Sequence, residues 1–219
     1  MDRAGGSGGL GTDGTDRWRG LLEASTVALD LPGNSGGGTG FVLEPGTVVT
    51  CAHVVAGVDT VRGRIVATGH DMELSVSGER FHRTANGLDL ALLRYDIAEV
   101  TPAPPGVLTS PGTALGDRLS VYGHPRGDFR AGQWAVLEYQ GDSRISFDDP
   151  IPMPRGFGTP VGEGFSGSPV VNHRTGAVCG MLARSNNASW MIPPPSHRPG
   201  PSPLSNPSDW SPTTAGETS

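Results

Sequence analysis

The sequence is poor in the features that mark disulfide-rich, nucleic-acid-binding and membrane-spanning proteins. Its 219 residues include only 2 cysteines, Cys51 and Cys179, and both lie in apolar segments, so we expect buried free thiols and no disulfide. The 16 basic residues form no cluster and the net charge is −6, which argues against nucleic acid or an anionic membrane as a partner. No apolar run approaches the length of a transmembrane helix.

The first residues also lack the features of a secretion signal. They read Met1-Asp2-Arg3 and then mainly glycine, whereas a signal peptide contains an apolar stretch of roughly 7–15 residues. Two cysteines without a signal are typical of a reducing compartment, so the sequence predicts a cytoplasmic protein.

Glycine and proline are abundant, with 34 and 20 residues, and the hydrophobic content is 35%. This composition suits many short strands joined by tight turns better than helices. About six strand candidates lie on each side of a proline-rich linker at 101–116. We therefore predict an all-β protein of two six-stranded antiparallel β-barrels with a ligand-binding cleft between them. The strand candidates are 25–29, 39–43, 47–52, 60–67, 72–76, 90–95, 118–122, 134–139, 143–147, 168–171, 177–182 and 190–192.

The same patterns divide the chain into three regions. The glycine-rich segment 1–19 is predicted to be disordered, with a short helical turn near 16–23. One domain covers 20–192, with barrel one at about 20–100 and barrel two at about 112–192. The Pro/Ser-rich tail 193–219 has too little apolar surface to fold and is also predicted to be disordered.

Three distant segments carry the residue types of a nucleophilic hydrolase. His53 ends Thr-Cys-Ala-His, Asp89 opens Asp-Leu-Ala-Leu-Leu, and Ser166 lies in Gly-Phe-Ser-Gly-Ser-Pro. A serine hydroxyl attacks only when a base takes its proton and a third group orients that base. Each residue alone has a plain structural reading: a histidine at a strand end, an exposed aspartate at a turn, a Gly-Ser turn. The order His, Asp, Ser and the three contexts together predict base, orienting acid and nucleophile.

The glycines beside Ser166 predict an oxyanion hole. Glycine lets the backbone turn sharply and point N–H groups inward, and those of Gly164 and Ser166 are the expected donors. Ser166 does not fit a nucleophile elbow of the Gly-x-Ser-x-Gly type, because Ser168 stands at the second glycine. The histidines and cysteines show no paired ligand spacing and no phosphate-binding loop is present, so we predict no metal and no cofactor.

These motifs resemble the chymotrypsin-fold serine proteases of the trypsin-like superfamily, in particular the bacterial Deg (high-temperature-requirement) type. The chain resembles more loosely the trypsin-like domains attached to bacterial conflict-system effectors. The resemblance covers about 20–192 and implies that His53 is the general base, Asp89 its orienting acid and Ser166 the nucleophile. The motifs that carry it are 38–43, 50–55, 89–93, 116–119, 123–125 and 164–169.

The chain departs from secreted trypsins at Phe165. Those enzymes have an aspartate there, which pairs with a new N-terminus after zymogen cleavage. A phenylalanine forms no such ion pair, so we expect activation without cleavage, with control by a loop, an attached domain or a regulatory partner.

The resemblance also implies a substrate pocket, built from 159–162 and 182–185. Its predicted contact residues are Thr159, Gly162, Ala183, Arg184 and Ser185. No acidic side chain occurs there, which argues against selection of Lys or Arg. Arg184 either favours an acidic substrate residue or is simply exposed to solvent.

The sequence thus predicts a serine endopeptidase that cleaves protein or peptide substrates through an acyl-enzyme. Two alternatives stay open. One is a catalytically silent trypsin-fold protein that serves as a binding or regulatory module. The other is an esterase or acyltransferase that uses the same three residues.

Overall fold

The structure, a computed structural model, describes residues 13–32, 36–81, 89–97, 112–125, 130–143, 153–184 and 189–191. These residues form one helix and twelve strands. The elements are α1 (Asp13–Ser25), β1 (Thr26–Asp30), β2 (Gly37–Glu44), β3 (Thr47–Thr50), β4 (Thr60–Ile65), β5 (His70–Phe81), β6 (Leu90–Arg94), β7 (Arg118–Gly123), β8 (Gln133–Ser143), β9 (Met153–Gly158), β10 (Pro169–Asn172), β11 (Ala177–Arg184) and β12 (Ser189–Met191).

The strands close into two antiparallel barrels. The first has the order β1-β2-β3-β6-β5-β4 and the second β10-β11-β12-β9-β8-β7. Closure pairs β1 with β4 in the first barrel and β10 with β7 in the second. The prediction of two six-stranded barrels is confirmed, and the strands of each barrel lie within the predicted halves of the chain.

Strand alternation creates three apolar clusters. On β3, Val48 packs inside the first barrel, while its neighbour Val49 packs between the barrels, as expected for side chains on opposite faces of a strand. The cluster between the barrels also holds Cys51 from the first barrel and Met181 from the second. The third cluster fills the second barrel and includes Phe165. The apolar contact between the barrels fixes how the two halves of the candidate site face each other.

The helix is longer than the sequence predicts and begins inside the segment 1–19. Its Leu22 is 4% exposed and packs into the cluster between the barrels. Glu23 accepts a hydrogen bond from the indole N–H of Trp134 at 3.0 Å, and Arg19 lies 5.1 Å from the centre of the same ring. These contacts tie α1 to the second barrel. Within the described residues, no helix has the length and hydrophobicity needed to cross a membrane.

Strand boundaries differ from the prediction at β5, β8 and β9. Strand β8 runs on to Ser143, where the sequence suggested a separate strand at 143–147, and β9 was not predicted. Pro154, Gly156 and Gly158 give β9 a composition that strands usually avoid. Its pairing with β8 and β12 overrides that local preference. Residues 144–147, most of the linker 101–116 and the tail 193–219 lie outside the described residues.

Asp117 belongs to the motif at 116–119, and its hydrogen bonds show what this motif does in the fold. Its carboxylate accepts hydrogen bonds from the guanidinium of Arg174 (2.8 and 2.9 Å), the amide of Asn172 (2.7 Å) and the N–H of Ala114 (2.8 Å). These donors, Arg174 above all, hold the pKa of Asp117 well below its ordinary value. The motif therefore ties the start of β7 to the end of β10 and has a structural role.

We expect Asp117→Asn to destabilise the fold in a pH-dependent way. A carboxylate whose pKa is depressed in the folded state stabilises that state above the ordinary aspartate pKa of about 4. This stabilisation is lost as the pH falls through the folded-state pKa, since protonation removes the charge that Arg174 binds. Urea unfolding of both proteins should show a difference at pH 6 that shrinks below about pH 4. A difference that stays constant down to pH 2 would contradict this role.

Candidate active site

His53 and Asp89 are brought together by the pairing of β3 with β6. His53 follows β3 and Asp89 directly precedes β6, so the register Thr50↔Ala91 places the two residues side by side although they are 36 positions apart. Asp89 Oδ1 accepts the backbone N–H of His53 at 2.9 Å, and Oδ2 is hydrogen-bonded to the ring Nδ1. One carboxylate thus holds both the backbone and the ring of the histidine.

This pair leaves one ring nitrogen of His53 able to act as a base. A carboxylate only accepts, so the proton of the neutral imidazole lies on Nδ1 and Nε2 carries the lone pair. The Asp89 residue is 9% exposed, whereas the His53 side chain is 50% exposed. The basic nitrogen therefore belongs to a ring that an incoming substrate can reach.

Ser166 lies in the loop between β9 and β10, in a segment that needs two glycines. Gly164 and Gly167 have φ values of +93° and +91°, in the region that side chains with a Cβ rarely adopt. A Cβ on Gly167 would also lie 1.8 Å from the carbonyl oxygen of Thr39. The glycines on both sides of Ser166 are therefore required by backbone conformation and, at Gly167, by the contact with the first barrel.

The backbone N–H groups of this loop fall into two sets. Those of Gly164 and Ser166 donate to no acceptor within the described part of the chain. These are the two groups that the sequence analysis predicts for the oxyanion hole. The other three donate to carbonyls of the second barrel at 2.8–3.4 Å: Phe165 to Gly162, Gly167 to Leu182, and Ser168 to Phe165.

The carbonyl of Leu182 places the serine loop against the histidine segment. It accepts the N–H of Gly167 at 2.8 Å and the thiol of Cys51 at 3.3 Å. Gly167 follows Ser166 directly, and Cys51 lies two residues before His53. The three residues of the predicted triad thus come from segments that meet at the junction of the barrels.

No hydrogen bond joins the Ser166 hydroxyl to the His53 ring among the described residues. The histidine–aspartate link is formed and the serine–histidine link is open in this structure. In ligand-free enzymes the catalytic hydrogen bonds are often long and tighten when substrate binds.

Phe165 anchors the serine loop in the core of the second barrel. The residue is 4% exposed and packs in a cluster with Leu119, Val121 and Leu182. Apolar burial of this side chain therefore helps to hold the loop that carries Ser166.

Cys51, His53 and Asp89 have potential metal-ligand atoms within 4.8 Å of one another. A metal held by these three residues would need the thiolate form of Cys51. Burial and, secondarily, the Asp89 charge raise the pKa of the Cys51 thiol well above its ordinary value. This thiol donates to Leu182 and Nδ1 of His53 is engaged with Asp89. The donor set therefore suits proton transfer better than metal ligation. Burial likewise raises the pKa of the other thiol, Cys179, to about 11.

The predicted substrate residues fall into three groups. Thr159 and Gly162 are exposed, and the Thr159 hydroxyl accepts a β8 backbone N–H at 3.2 Å. Ala183 is 3% exposed and packs in the cluster between the barrels, so only its backbone can meet a substrate. Arg184 ends β11, and Ser185 lies outside the described residues.

Thr39 is a site residue that the sequence analysis noted only as part of a motif. Its N–H donates to the Ser166 carbonyl at 3.0 Å and its hydroxyl to the Gly164 carbonyl at 2.7 Å. These partners lie more than 120 positions away, so no local pattern reveals the contact.

A cavity of about 520 Å³ opens elsewhere, on the surface of the first barrel. Its lining includes Asp30, Arg62 and Asp71 and none of the candidate site residues. This cavity and the candidate site are therefore separate features.

Comparison with known proteins agrees with this geometry. The sequence matches the family model of the trypsin-like peptidase domain over residues 38–181. No curated protein sequence matches the chain.

Solved structures of similar fold include Deg5 and the Rv3671c protease from M. tuberculosis. Deg5 is 20% identical with a TM-score of 0.67, and the match covers 84% of this chain and 92% of Deg5. The active form of Rv3671c is 23% identical with a TM-score of 0.60 and 88% of each chain covered. Its inactive form is also 23% identical, with a TM-score of 0.61 and 81% of this chain and 87% of that one covered. At these identities the likeness shows the shared fold alone.

The family match covers more than half of the chain and includes the segments of His53 and Ser166. Together with the two closed barrels, it identifies the fold as the double barrel of the chymotrypsin-like enzymes. The chain belongs to the trypsin-like peptidase family and is a serine protease.

Proposed function

We propose that the protein is a serine endopeptidase in which Ser166 is the nucleophile, His53 the general base and Asp89 the group that orients the base. One observation carries the proposal: Asp89 binds both the N–H and the Nδ1 of His53, which leaves Nε2 as the base. The two N–H groups without an acceptor in the described residues, those of Gly164 and Ser166, support it as an oxyanion hole.

The reaction then follows from these groups. His53 Nε2 takes the hydroxyl proton as Ser166 Oγ attacks the peptide carbonyl carbon. The carbonyl oxygen becomes an oxyanion that accepts the N–H groups of Gly164 and Ser166, and a protein of this type loses about 2.7–4 kcal/mol of transition-state stabilisation when one donor is removed. The imidazolium returns its proton to the leaving amine, and water, activated by the same base, releases the acyl group.

We also propose that no zymogen cleavage is needed. The loop that carries the nucleophile is held by the buried side chain of Phe165 and by hydrogen bonds to Thr39 and Leu182. None of these contacts depends on a new N-terminus. Control by a regulatory partner, and a cytoplasmic location without nucleic-acid or membrane binding, remain predictions of the sequence.

The substrate class that we propose is a peptide without a basic residue at the cleaved position. The segment 159–162 contains no acidic side chain, and the hydroxyl of Thr159 is engaged with β8. A basic substrate side chain would therefore meet no charged partner in this segment.

A peptide-library cleavage profile, run beside a matched series of esters, tests this proposal. We expect internal peptide bonds to be cleaved, with Lys and Arg not enriched at the cleaved position. Turnover of esters without any peptide cleavage would instead support an esterase or acyltransferase.

The open serine–histidine link favours a second candidate, a catalytically silent fold that binds a partner. In that case neither peptide nor ester is turned over by the folded protein. A peptide that binds without being cleaved would be the positive sign of this function.

A further inference from the structure

Thr39 is a fully buried residue of β2 whose polar groups reach both barrels. Its carbonyl accepts the hydroxyl of Thr50 at 2.7 Å, within the first barrel. Its N–H and its hydroxyl donate to the Ser166 and Gly164 carbonyls of the serine loop, at 3.0 and 2.7 Å. The hydroxyl also accepts the N–H of His124, at the end of β7, at 2.8 Å.

We propose that Thr39 is a positioning residue for the peptidase reaction, acting through the oxyanion hole. This inference rests on the proposed function. The hydroxyl holds the Gly164 carbonyl toward the first barrel and thereby fixes the direction of the N–H groups that bind the oxyanion. Within the described part of the chain, the hydrogen bonds of Thr39 are to backbone groups and to Thr50, and none is to the Ser166 hydroxyl or the His53 ring.

Peptide planarity transmits this contact along the loop. The Gly164 carbonyl and the Phe165 N–H are opposite ends of one rigid unit, so holding the carbonyl at Thr39 points the N–H the other way, toward Gly162 at 3.4 Å. The next unit but one is held in the same manner, with the Ser166 carbonyl on Thr39 and the Gly167 N–H on Leu182. Of the remaining donors, the Gly164 N–H belongs to the unit just before the first fixed plane, and the Ser166 N–H belongs to the unit between the two.

The loop needs such a restraint because it contains glycine. Gly164, at φ +93°, has no Cβ to limit rotation of its neighbouring peptide planes. Rotation there would turn its N–H away from the oxyanion position. Phe165 fixes one side chain in the core, but only a hydrogen bond fixes the direction of the peptide planes beside it.

The direction of the Thr39 hydroxyl proton is itself determined. A hydroxyl has one hydrogen and two lone pairs, and the His124 N–H occupies a lone pair. The hydrogen is therefore directed to the Gly164 carbonyl. A methyl group in place of the hydroxyl would remove the donor to the part-buried Gly164 carbonyl and the acceptor of the buried His124 N–H.

The test is the kinetics of Thr39→Val, which replaces the hydroxyl by a methyl group of similar size. We expect kcat for a peptide substrate to fall about 10- to 100-fold, below the effect of deleting an oxyanion donor itself. The KM should stay nearly unchanged, because the contact acts on the transition state. Reaction with a fluorophosphonate should slow in proportion.

Two variants separate positioning from simple stability. Thr39→Ser keeps the hydroxyl and should restore kcat. Thr26→Val removes another fully buried threonine hydroxyl, which donates to the Leu22 carbonyl at the same 2.7 Å but lies away from the loop. It should lose stability and keep kcat. If Thr39→Val does not fold, Thr39→Ala is measured in its place with the same expectations.

Three results would overturn the role of Thr39. The first is a wild-type kcat in Thr39→Val. The second is a kcat in Thr39→Ser that is as low as in Thr39→Val. The third is a fall in kcat in Thr26→Val that equals the fall in Thr39→Val. Ser166→Ala measured alongside keeps the two proposals distinguishable. Retained turnover in that variant would overturn the proposed function and this role with it, whereas an inactive Ser166→Ala beside a fully active Thr39→Val overturns the role of Thr39 alone.

Discussion

Ser166→Ala should lower kcat for peptide cleavage by about 10⁶-fold, the scale seen when a triad nucleophile is removed. Without Oγ no acyl-enzyme forms, and only the slower direct attack of water, helped by the oxyanion hole, remains. The fold should be unaffected, because the contacts of this residue in the barrel junction are made by its backbone carbonyl. Progress curves at high enzyme concentration and a thermal unfolding curve measure both expectations.

The neighbouring Ser168 is the matched control. Its hydroxyl is fully buried and has no hydrogen-bond partner among the described residues, so Ser168→Ala removes the same atom from the same loop without removing such a hydrogen bond. We expect this variant to keep its activity and to be at least as stable, since an unpaired buried hydroxyl is lost. An equal loss of kcat in both variants would show that the substitutions disturb the loop and that the loss does not come from removing the nucleophile.

Asp89→Asn should lower kcat by about 10⁴-fold while the protein stays folded. The asparagine oxygen can still accept the backbone N–H of His53, the contact now made by Oδ1 at 2.9 Å. Its amide group, however, donates to Nδ1, which moves the ring proton to Nε2 and removes the base. Steady-state kinetics with the same peptide measure the loss.

Asp71→Asn provides the control for this second substitution. Asp71 is an exposed carboxylate of β5 that pairs with Arg62 and Arg64 at 3.5 and 3.4 Å, away from the site. Exposed ion pairs contribute little, so kcat should be unchanged. If Asp89→Asn keeps the wild-type kcat, Asp89 takes no part in the mechanism, although its contacts with His53 would still explain the local fold.

Local sequence was sufficient for the elements whose pattern lies within a few residues. The apolar runs of β3 and β6, and the short motifs around His53 and Asp89, predict the strands whose pairing joins these two residues. The glycines around Ser166 can also be recognised from the sequence, but the sequence does not show why position 167 requires glycine. That requirement depends on the Thr39 carbonyl, 1.8 Å from where a Cβ would be, which belongs to the other barrel.

Features that depend on contacts across the fold could not be predicted in this way. Strand β9 forms from residues with poor strand propensity because β8 offers it a partner. That the Ala183 side chain packs in the cluster between the barrels likewise follows from the contacts of β11 across the fold, whereas its predicted place at the substrate pocket stays a prediction. Thr39 and Asp117 read as parts of family motifs, and only the folded chain shows what their side chains bind.

The most direct test of the central claim is to map the site of fluorophosphonate modification by mass spectrometry of the digested protein. Attack by Oγ on phosphorus with loss of fluoride requires the same base as peptide cleavage, so the adduct reports an assembled site. We predict one adduct per chain, on Ser166, that is absent from Ser166→Ala and strongly slowed in Asp89→Asn. An adduct on another residue such as Ser168, or no adduct on a protein that cleaves peptides, would contradict the account.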